Sequence, residues 1–150
     1  MPRVLLIAYG NPLRYDDGLA WQVAEQIKDP PLPHLEIIRA HQLTPELAER
    51  LGGVKGVVFV DASQNGEPGT LHCEPVAAEP GEIRFSHQLT PGQLLSLAAQ
   101  LYGASPLAFC VSLVGKSFEH GEGLSPEIAQ ALPGLLSRVR SLVREIAQAP

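Results

Sequence analysis

The sequence lacks any apolar run long enough to span a membrane, and its first residues lead into a strand rather than a secretory signal. Clusters of basic residues are also scarce. The net charge is −5, and the one group of arginines, Arg138, Arg140 and Arg144, is spaced as the solvated face of a last helix. These absences exclude a membrane span and argue against a nucleic-acid partner. We therefore expect a soluble, cytoplasmic protein.

Cysteine and the common catalytic motifs are sparse as well. Cys73 and Cys110 stand in strand-like segments without a C-x-x-C spacing, and we expect both to be reduced, buried and inert. The chain has no G-x-G-x-x-G, no P-loop, no H-E-x-x-H and no serine-nucleophile elbow. Dinucleotide binding and hydrolysis at a free-standing catalytic zinc are therefore not indicated.

Hydrophobic residues make up 45% of the chain and charged residues 18%, which is typical of a globular protein, and 150 residues suit one domain over 1–150. Short apolar runs alternate with amphipathic segments. This pattern predicts a three-layer α/β fold, with helices on both faces of a mostly parallel sheet of about five strands. The predicted strands are residues 4–9, 35–40, 57–61, 69–76 and 107–114, with 69–76 as an antiparallel edge strand.

Capping signals predict where the helices begin and end. Thr90 and Gln93 form a capping box ahead of a helix that should run to Gly103. Thr44, followed by proline, is predicted to cap a shorter helix. The last helix should break or kink at Pro133, because proline removes a backbone donor from the helix interior.

The segment 10–18, with the sequence GNPLRYDDG, joins the first strand to the first helix. Loops at the carboxyl ends of parallel strands form the crevice where open α/β sheets bind ligands. An aspartate at a helix start usually caps the helix, but one aspartate suffices for that role. A second carboxylate beside it adds repulsion unless a cation is near, so the pair Asp16 and Asp17 favours a metal or a positively charged ligand.

Two further groups are predicted at the same edge of the sheet. Asp61 ends the third strand, and a histidine precedes a helix in each copy of an echoed segment, HQLTP at 41–45 and at 87–91. Two carboxylates and an imidazole form an oxygen-rich divalent-metal site with open positions for water or substrate. Each residue also has a plainer role as a turn cap or an exposed polar group. The residues alone leave both His41 and His87 as candidates.

Three segments together resemble the hydrogenase maturation proteases: GNPLRYDDG at 10–18, VDA at 60–62 and SHQL at 86–89. The similarity extends over nearly the whole chain, including LSP at 124–126. The resemblance implies an endopeptidase that removes a C-terminal extension from the large-subunit precursor of a [NiFe] hydrogenase. It also implies that the metal-contacting and catalytic residues are Asp17, Asp61 and His87, which selects His87 over His41.

The resemblance further implies that nickel arrives with the precursor, so that a precursor without nickel is spared. The isolated protein is then expected to be a monomer that is metal-free or holds an adventitious divalent ion. The metal, or a carboxylate acting as base, would orient the attacking water. Asp16 would either tune Asp17 by repulsion or cap the following helix, and the cap is favoured. Tyr15 stands where the family usually has a smaller residue.

Two other classes of function stay open at this point. A non-catalytic, nickel-dependent binding or assembly checkpoint protein for a hydrogenase-like partner would use the same three ligands. A flavodoxin-like cofactor binder would share the predicted fold but use different contacts. A checkpoint protein would leave the precursor uncleaved, whereas a protease would shorten it. A bound flavin-like cofactor would be visible in the absorbance spectrum of the purified protein.

Overall fold

The computed structural model describes residues 3–81 and 89–150. The strands in this part of the chain are β1 (Val4–Tyr9), β2 (Leu35–Ala40), β3 (Gly56–Ser63), β4 (Leu71–Pro75) and β5 (Leu107–Val114). They form one sheet in the order β2-β1-β3-β5-β4. Four strands are parallel, and β4 pairs antiparallel with β5 at one edge. The predicted sheet and its antiparallel edge strand are confirmed.

The helices cover both faces of this sheet. They are α1 (Leu19–Gln26), α2 (Leu47–Arg50), α3 (Pro91–Tyr102) and α4 (Pro126–Gln148), and a 3₁₀ turn over Tyr15–Gly18 precedes α1. None of the helices in the described ranges combines the length and the apolar character that crossing a bilayer requires.

Alternate residues of β1 enter two different cores. Val4, Leu6 and Ala8 pack with α1 and α4 on one face, whereas Leu5 and Ile7 pack with α2 and α3 on the other. All five side chains have no exposed surface. A strand whose successive side chains point to opposite faces must be apolar throughout when both faces are covered. This explains why the run before Gly10 contains no charged residue and confirms the three-layer arrangement.

The strand order reverses beside β1. The chain leaves β1 towards β2 on one side, while β3 and the later strands lie on the other side. The parallel register pairs Ala8 with Val60, so the next residues, Tyr9 and Asp61, lie side by side at the carboxyl ends of the two strands. A crevice opens at such a reversal, since the two flanking connections move apart.

Two predictions about helices are corrected. α2 begins at Leu47 with Glu46 at its N-cap position and no side-chain cap, so Thr44 does not start it. α4 runs without a break through Pro133. Proline removes the N–H that would bind the carbonyl of Ala129, but both residues are exposed, and water can satisfy that carbonyl.

The capping box of α3 is confirmed. Thr90 Oγ1 accepts a hydrogen bond from the backbone N–H of Gln93 (3.1 Å), and Gln93 Oε1 accepts one from the N–H of Thr90 (2.9 Å). The helix ends at Gly103 in the left-handed conformation, with φ 63°. The cap could be predicted from the sequence because Thr90 and Gln93 are three positions apart and each side chain accepts a hydrogen bond from the other residue's backbone N–H group.

The cysteines are free but only half-buried, which corrects the expectation of full burial. Cys73 lies on β4 and Cys110 on the neighbouring strand β5. Burial, with a smaller contribution from the negative charge of Asp61, raises the pKa of the Cys110 thiol to about 12. A thiol with this pKa stays protonated at neutral pH, so it is a poor nucleophile and metal ligand, as the sequence predicted.

Candidate functional site

A cavity of about 210 Å³ lies at the carboxyl ends of β1 and β3. Its polar lining includes Asp17, Asp61, His41 and Arg14. Asp17 reaches it from the loop after β1, and Asp61 reaches it from the end of β3. The sequence prediction that these two carboxylates share one edge of the sheet is therefore correct in geometry, because adjacent parallel strands end together.

The loop after β1 folds tightly to present Asp17. Gly10 has φ 149°, and a Cβ there would lie 2.1 Å from the carbonyl oxygen of Asp17, so only glycine fits. The Oδ2 atom of Asp17 accepts a hydrogen bond from the backbone N–H of Asn11 at 2.8 Å. This bond leaves acceptor capacity on the carboxylate, which is half-buried in the cavity wall.

The environment of Asp61 perturbs its carboxylate. Burial raises its pKa to about 6, and the negative charge of Asp17 adds to that rise. Hydrogen bonds from the Tyr9 hydroxyl, 3.0 Å from Oδ2, and from the backbone N–H of Ala62 oppose the rise but do not cancel it. A carboxylate with a pKa close to neutrality is suited to take and return a proton near pH 7.

Tyr9 is a site residue that the sequence analysis missed. Burial and the charge of Asp61 raise the pKa of its phenol, so the hydroxyl stays protonated and donates to the carboxylate. The available signal was slight: Tyr9 is the one residue with a polar group in the run that forms β1. Its partner became evident only from the register between β1 and β3.

Asp16 has a different environment from its neighbour Asp17. It has no exposed surface, and its carboxylate accepts four hydrogen bonds. The donors are the backbone N–H groups of Lys116 (2.8 Å), Ser117 (2.9 Å) and Ser125 (2.7 Å) and the hydroxyl of Ser125 (2.8 Å). Burial acts to raise the pKa of Asp16, but these hydrogen bonds outweigh it and hold the pKa below its ordinary value.

The prediction that Asp16 caps α1 is therefore wrong. The N-cap of α1 is Gly18, and no side chain in the described part of the chain caps this helix. The carboxylate of Asp16 instead binds Ser125, the N-cap residue of α4, where the backbone N–H groups and the helix dipole favour a negative charge. Asp16 thus anchors the segment 116–125 beneath the loop that carries Asp17.

Backbone hydrogen bonds join the segment 115–123 to the loop 10–18. Tyr15 donates its N–H to the carbonyl of Gly121 (2.9 Å), and Gly121 donates to the carbonyl of Leu13 (2.8 Å). A Cβ on Gly121 would lie 2.1 Å from the ring of Tyr15. The large residue at position 15 is therefore accommodated by glycine at position 121, and the segment 115–123 supports the loop that carries Asp17.

The two candidate histidines have different outcomes. His87 lies outside the described residues, so its predicted role stays a prediction. His41 is exposed and lines the cavity together with Asp17 and Asp61. Within residues 3–81 and 89–150, however, no three His, Cys, Asp or Glu side chains come together as a metal-binding group. His41 therefore shares the cavity without completing a ligand set with the two carboxylates.

The chain was compared with protein families, curated sequences and solved structures, and only solved structures match it. No protein-family model matches the chain, and no curated protein sequence matches it significantly. Among solved structures, the hydrogenase maturating endopeptidase HybD from E. coli matches with a TM-score of 0.76 and 21% identity, over 95% of this chain and 93% of that one. The [NiFe] hydrogenase maturation protease HycI from Thermococcus kodakarensis matches with a TM-score of 0.72 and 24% identity, over 95% and 92%.

A third solved structure, the [NiFe] hydrogenase maturation protease HybD from Thermococcus kodakarensis, matches with a TM-score of 0.73 and 23% identity, over 94% of this chain and 99% of that chain. All three likenesses run over nearly the full length of both partners. At this level of identity they establish a common architecture rather than a common activity. The chain therefore has the α/β fold of these maturation endopeptidases.

Proposed function

We propose that the protein is an endopeptidase that removes the C-terminal extension from the large-subunit precursor of a [NiFe] hydrogenase after nickel has been inserted. One observation carries this proposal: the carboxylates of Asp17, from the loop after β1, and Asp61, from β3, share one cavity at the point where the strand order reverses. The likeness of the whole fold to solved maturation endopeptidases supports the reaction class.

In this proposal the precursor's nickel is recognised by Asp17, Asp61 and His87. Two carboxylates close enough for one to raise the pKa of the other gain from a cation between them, because the cation replaces repulsion with attraction. Carboxylate and imidazole ligands both suit divalent nickel. Leu89 lines the same cavity, and His87 precedes it by two positions in the sequence.

The chemistry assigned to the site is hydrolysis of a peptide bond. Asp61 accepts a proton from water as the oxygen attacks the scissile carbonyl, and this proton passes to the amine that leaves when the C–N bond breaks. The Tyr9 hydroxyl holds the carboxylate in place during this transfer. The precursor's own nickel supplies positive charge that stabilises the oxyanion and gives selectivity, since a precursor without nickel lacks this attraction.

The proposal includes a cytoplasmic monomer as the working form and the hydrogenase precursor as its partner. A nickel-dependent assembly checkpoint without cleavage is the alternative. It would use the same carboxylates and the same cavity. The two functions differ in one product, the released C-terminal peptide, which only a protease generates.

The direct test incubates nickel-loaded precursor with the wild-type protein and with Asp17→Asn, and follows the precursor mass over time. Loss of a charged ligand that contacts the metal should slow processing by roughly 10²-fold or more. Asp29→Asn is the matched control, because Asp29 is exposed and lies outside the cavity. Processing by Asp17→Asn at the wild-type rate would contradict the proposed site. Nickel-dependent binding of precursor by the wild type without any cleavage would favour the checkpoint.

A further inference from the structure

An aromatic contact supports His41 at the cavity. Its ring packs against Trp21, with the ring centroids 5.2 Å apart and the planes tilted by 52°. Trp21 is itself held on two sides: its indole N–H donates to the carbonyl of Ala40 at 3.0 Å, and the guanidinium carbon of Arg39 lies 5.3 Å from its ring centroid. The imidazole is therefore braced on one side by Trp21, and His41 is an exposed residue that lines the cavity.

A substrate peptide that enters this cavity needs hydrogen-bond donors. The cavity carboxylates accept hydrogen bonds and, when ionised, donate none, so they repel a main-chain carbonyl. The Tyr9 hydroxyl already donates to Asp61. Arg14 Nε donates to the carbonyl of Phe118 at 3.0 Å, and the remaining guanidinium N–H groups of Arg14 are donors on a long, exposed side chain. A braced imidazole loses less conformational entropy on binding than a flexible amide side chain. His41 is thus a favourably placed donor for the peptide.

The echoed segment HQLTP gives independent support. Leu43 from the first copy and Leu89 from the second are both buried, with 2% and 5% exposed, and both line the cavity that holds Asp17 and Asp61. The shared Thr-Pro had suggested a common way to start a helix, yet the first copy does not start α2 at Thr44. Convergence of the two leucines on one cavity shows that the first copy belongs to the site.

We propose that His41 binds a main-chain carbonyl of the precursor segment that enters the cavity and so positions the peptide against the two carboxylates. This inference rests on the proposed endopeptidase function. It assigns the two echoed histidines to different tasks: His87 to the metal, and His41 to the peptide. Because His41 completes no metal-binding group with Asp17 and Asp61 among the described residues, its contribution is to substrate affinity.

The test measures kcat and KM for nickel-loaded precursor with two variants. His41→Phe keeps a ring against Trp21 but removes the N–H donor, and it should raise KM roughly five- to tenfold, the worth of one hydrogen bond, with kcat within about twofold. His41→Gln keeps an N–H donor and should recover most of the lost affinity. His72→Phe is the control, because His72 is exposed on β4 at the far edge of the sheet.

Three results would overturn the inference while the wild type still cleaves. KM for His41→Phe could equal the wild-type value, which removes any role in binding. His41→Phe could retain affinity that His41→Gln loses, which makes ring packing the whole effect. A fall in kcat at unchanged KM would make His41 a metal ligand or a proton-transfer group. If the wild type itself fails to shorten the precursor, the proposed function fails, and the assignment of His41 fails with it.

Discussion

The region around Asp16 and the region around Asp61 each bury a carboxylate, but the pKa of the carboxylate shifts in opposite directions in the two regions. Asp16 is fully buried and accepts four hydrogen bonds, and its pKa is lowered. Among residues 3–81 and 89–150, Asp61 has two donors, the Tyr9 hydroxyl and the N–H of Ala62, and a negatively charged neighbour in Asp17, and its pKa is raised to about 6. Desolvation raises both pKa values, so the hydrogen-bond donors at Asp16 and the charge of Asp17 beside Asp61 account for the opposite outcomes.

This difference separates a structural carboxylate from a reactive one. Asp16 finds all its partners within the protein and stabilises the junction between the site loop and α4. Asp61 is incompletely stabilised as an anion, which costs stability and leaves it ready for a cation or a proton. Three substitutions test this comparison.

The largest effect on stability is expected for Asp16→Asn. An amide cannot accept from all four donors, and its NH₂ group would face backbone N–H groups, so the free energy of unfolding should fall by about 3 kcal/mol. Because the pKa of Asp16 is lowered in the folded state, its contribution is present above the ordinary value of 3.8 and is lost as the pH falls through the lowered pKa. The difference from wild type should therefore shrink on acidification.

Urea unfolding at neutral and at strongly acidic pH measures this effect, with Asp29→Asn as the control for loss of an exposed carboxylate. Asp29→Asn should change the free energy of unfolding by about 0.5 kcal/mol or less. A loss below about 1 kcal/mol for Asp16→Asn at neutral pH would show that the four hydrogen bonds contribute little, against the structural role argued for this carboxylate.

A smaller effect of opposite sign is expected for Asp61→Asn. The folded-state pKa of about 6 lies above the ordinary 3.8, so the folded protein retains a proton that the unfolded chain loses between these values. The contribution of Asp61 to the free energy of unfolding should therefore fall as the pH rises from about 4 to just above 6, and Asp61→Asn should lack this fall. At pH 7 the variant should be more stable by roughly 1–3 kcal/mol, while processing is lost.

The same urea experiment across this pH range provides the measurement. The informative quantity is the difference between wild type and Asp61→Asn as a function of pH. If this difference does not depend on pH, or if Asp61→Asn is the less stable protein at pH 7, then Asp61 is not a strained carboxylate and the contrast with Asp16 is lost.

The smallest effect is expected for Tyr9→Phe. Its hydroxyl donates to Asp61 and lowers the pKa of that carboxylate, so its removal should raise the pKa of Asp61 above about 6. The free energy of unfolding should change by about 1 kcal/mol or less. Carboxyl ¹³C NMR titration of the metal-free protein reports the pKa directly. Tyr102→Phe, at an exposed position on α3, should leave it unchanged. A downward shift in Tyr9→Phe would reverse the assigned role of the hydroxyl.

Much of the fold was predictable because its signals are local. β1 and β5 have the predicted bounds, since apolar runs that end at a glycine mark strands in the interior of the sheet. Signals that depend on context failed. Thr44 carries the same Thr-Pro pair as Thr90 but does not cap α2, and Pro133 sits within an unbroken helix. Packing of an apolar helix face overrides such local preferences.

The site was predictable in part for the same reason. Asp17 and Asp61 were placed at one edge because both follow parallel strands, and their shared cavity follows from the order β1-β3. The hydrogen bond from Tyr9 to Asp61 joins residues 52 positions apart, and no pattern within either strand announces it. The candidate roles of Asp17, Asp61 and His87 in chemistry stay predictions until the substitutions are made.

The sequence by itself determined the alternation of strands and helices, because hydrophobic periodicity acts over a few residues, and it put one carboxylate in the loop after β1 and another near the end of β3. Only the tertiary structure decided that Asp16 and Asp17, which are adjacent in the chain, have different roles. Asp17 lines the cavity, whereas Asp16 binds Ser125, which lies 109 positions away. A carboxylate takes its character from the donors that surround it, and those donors are brought together by folding.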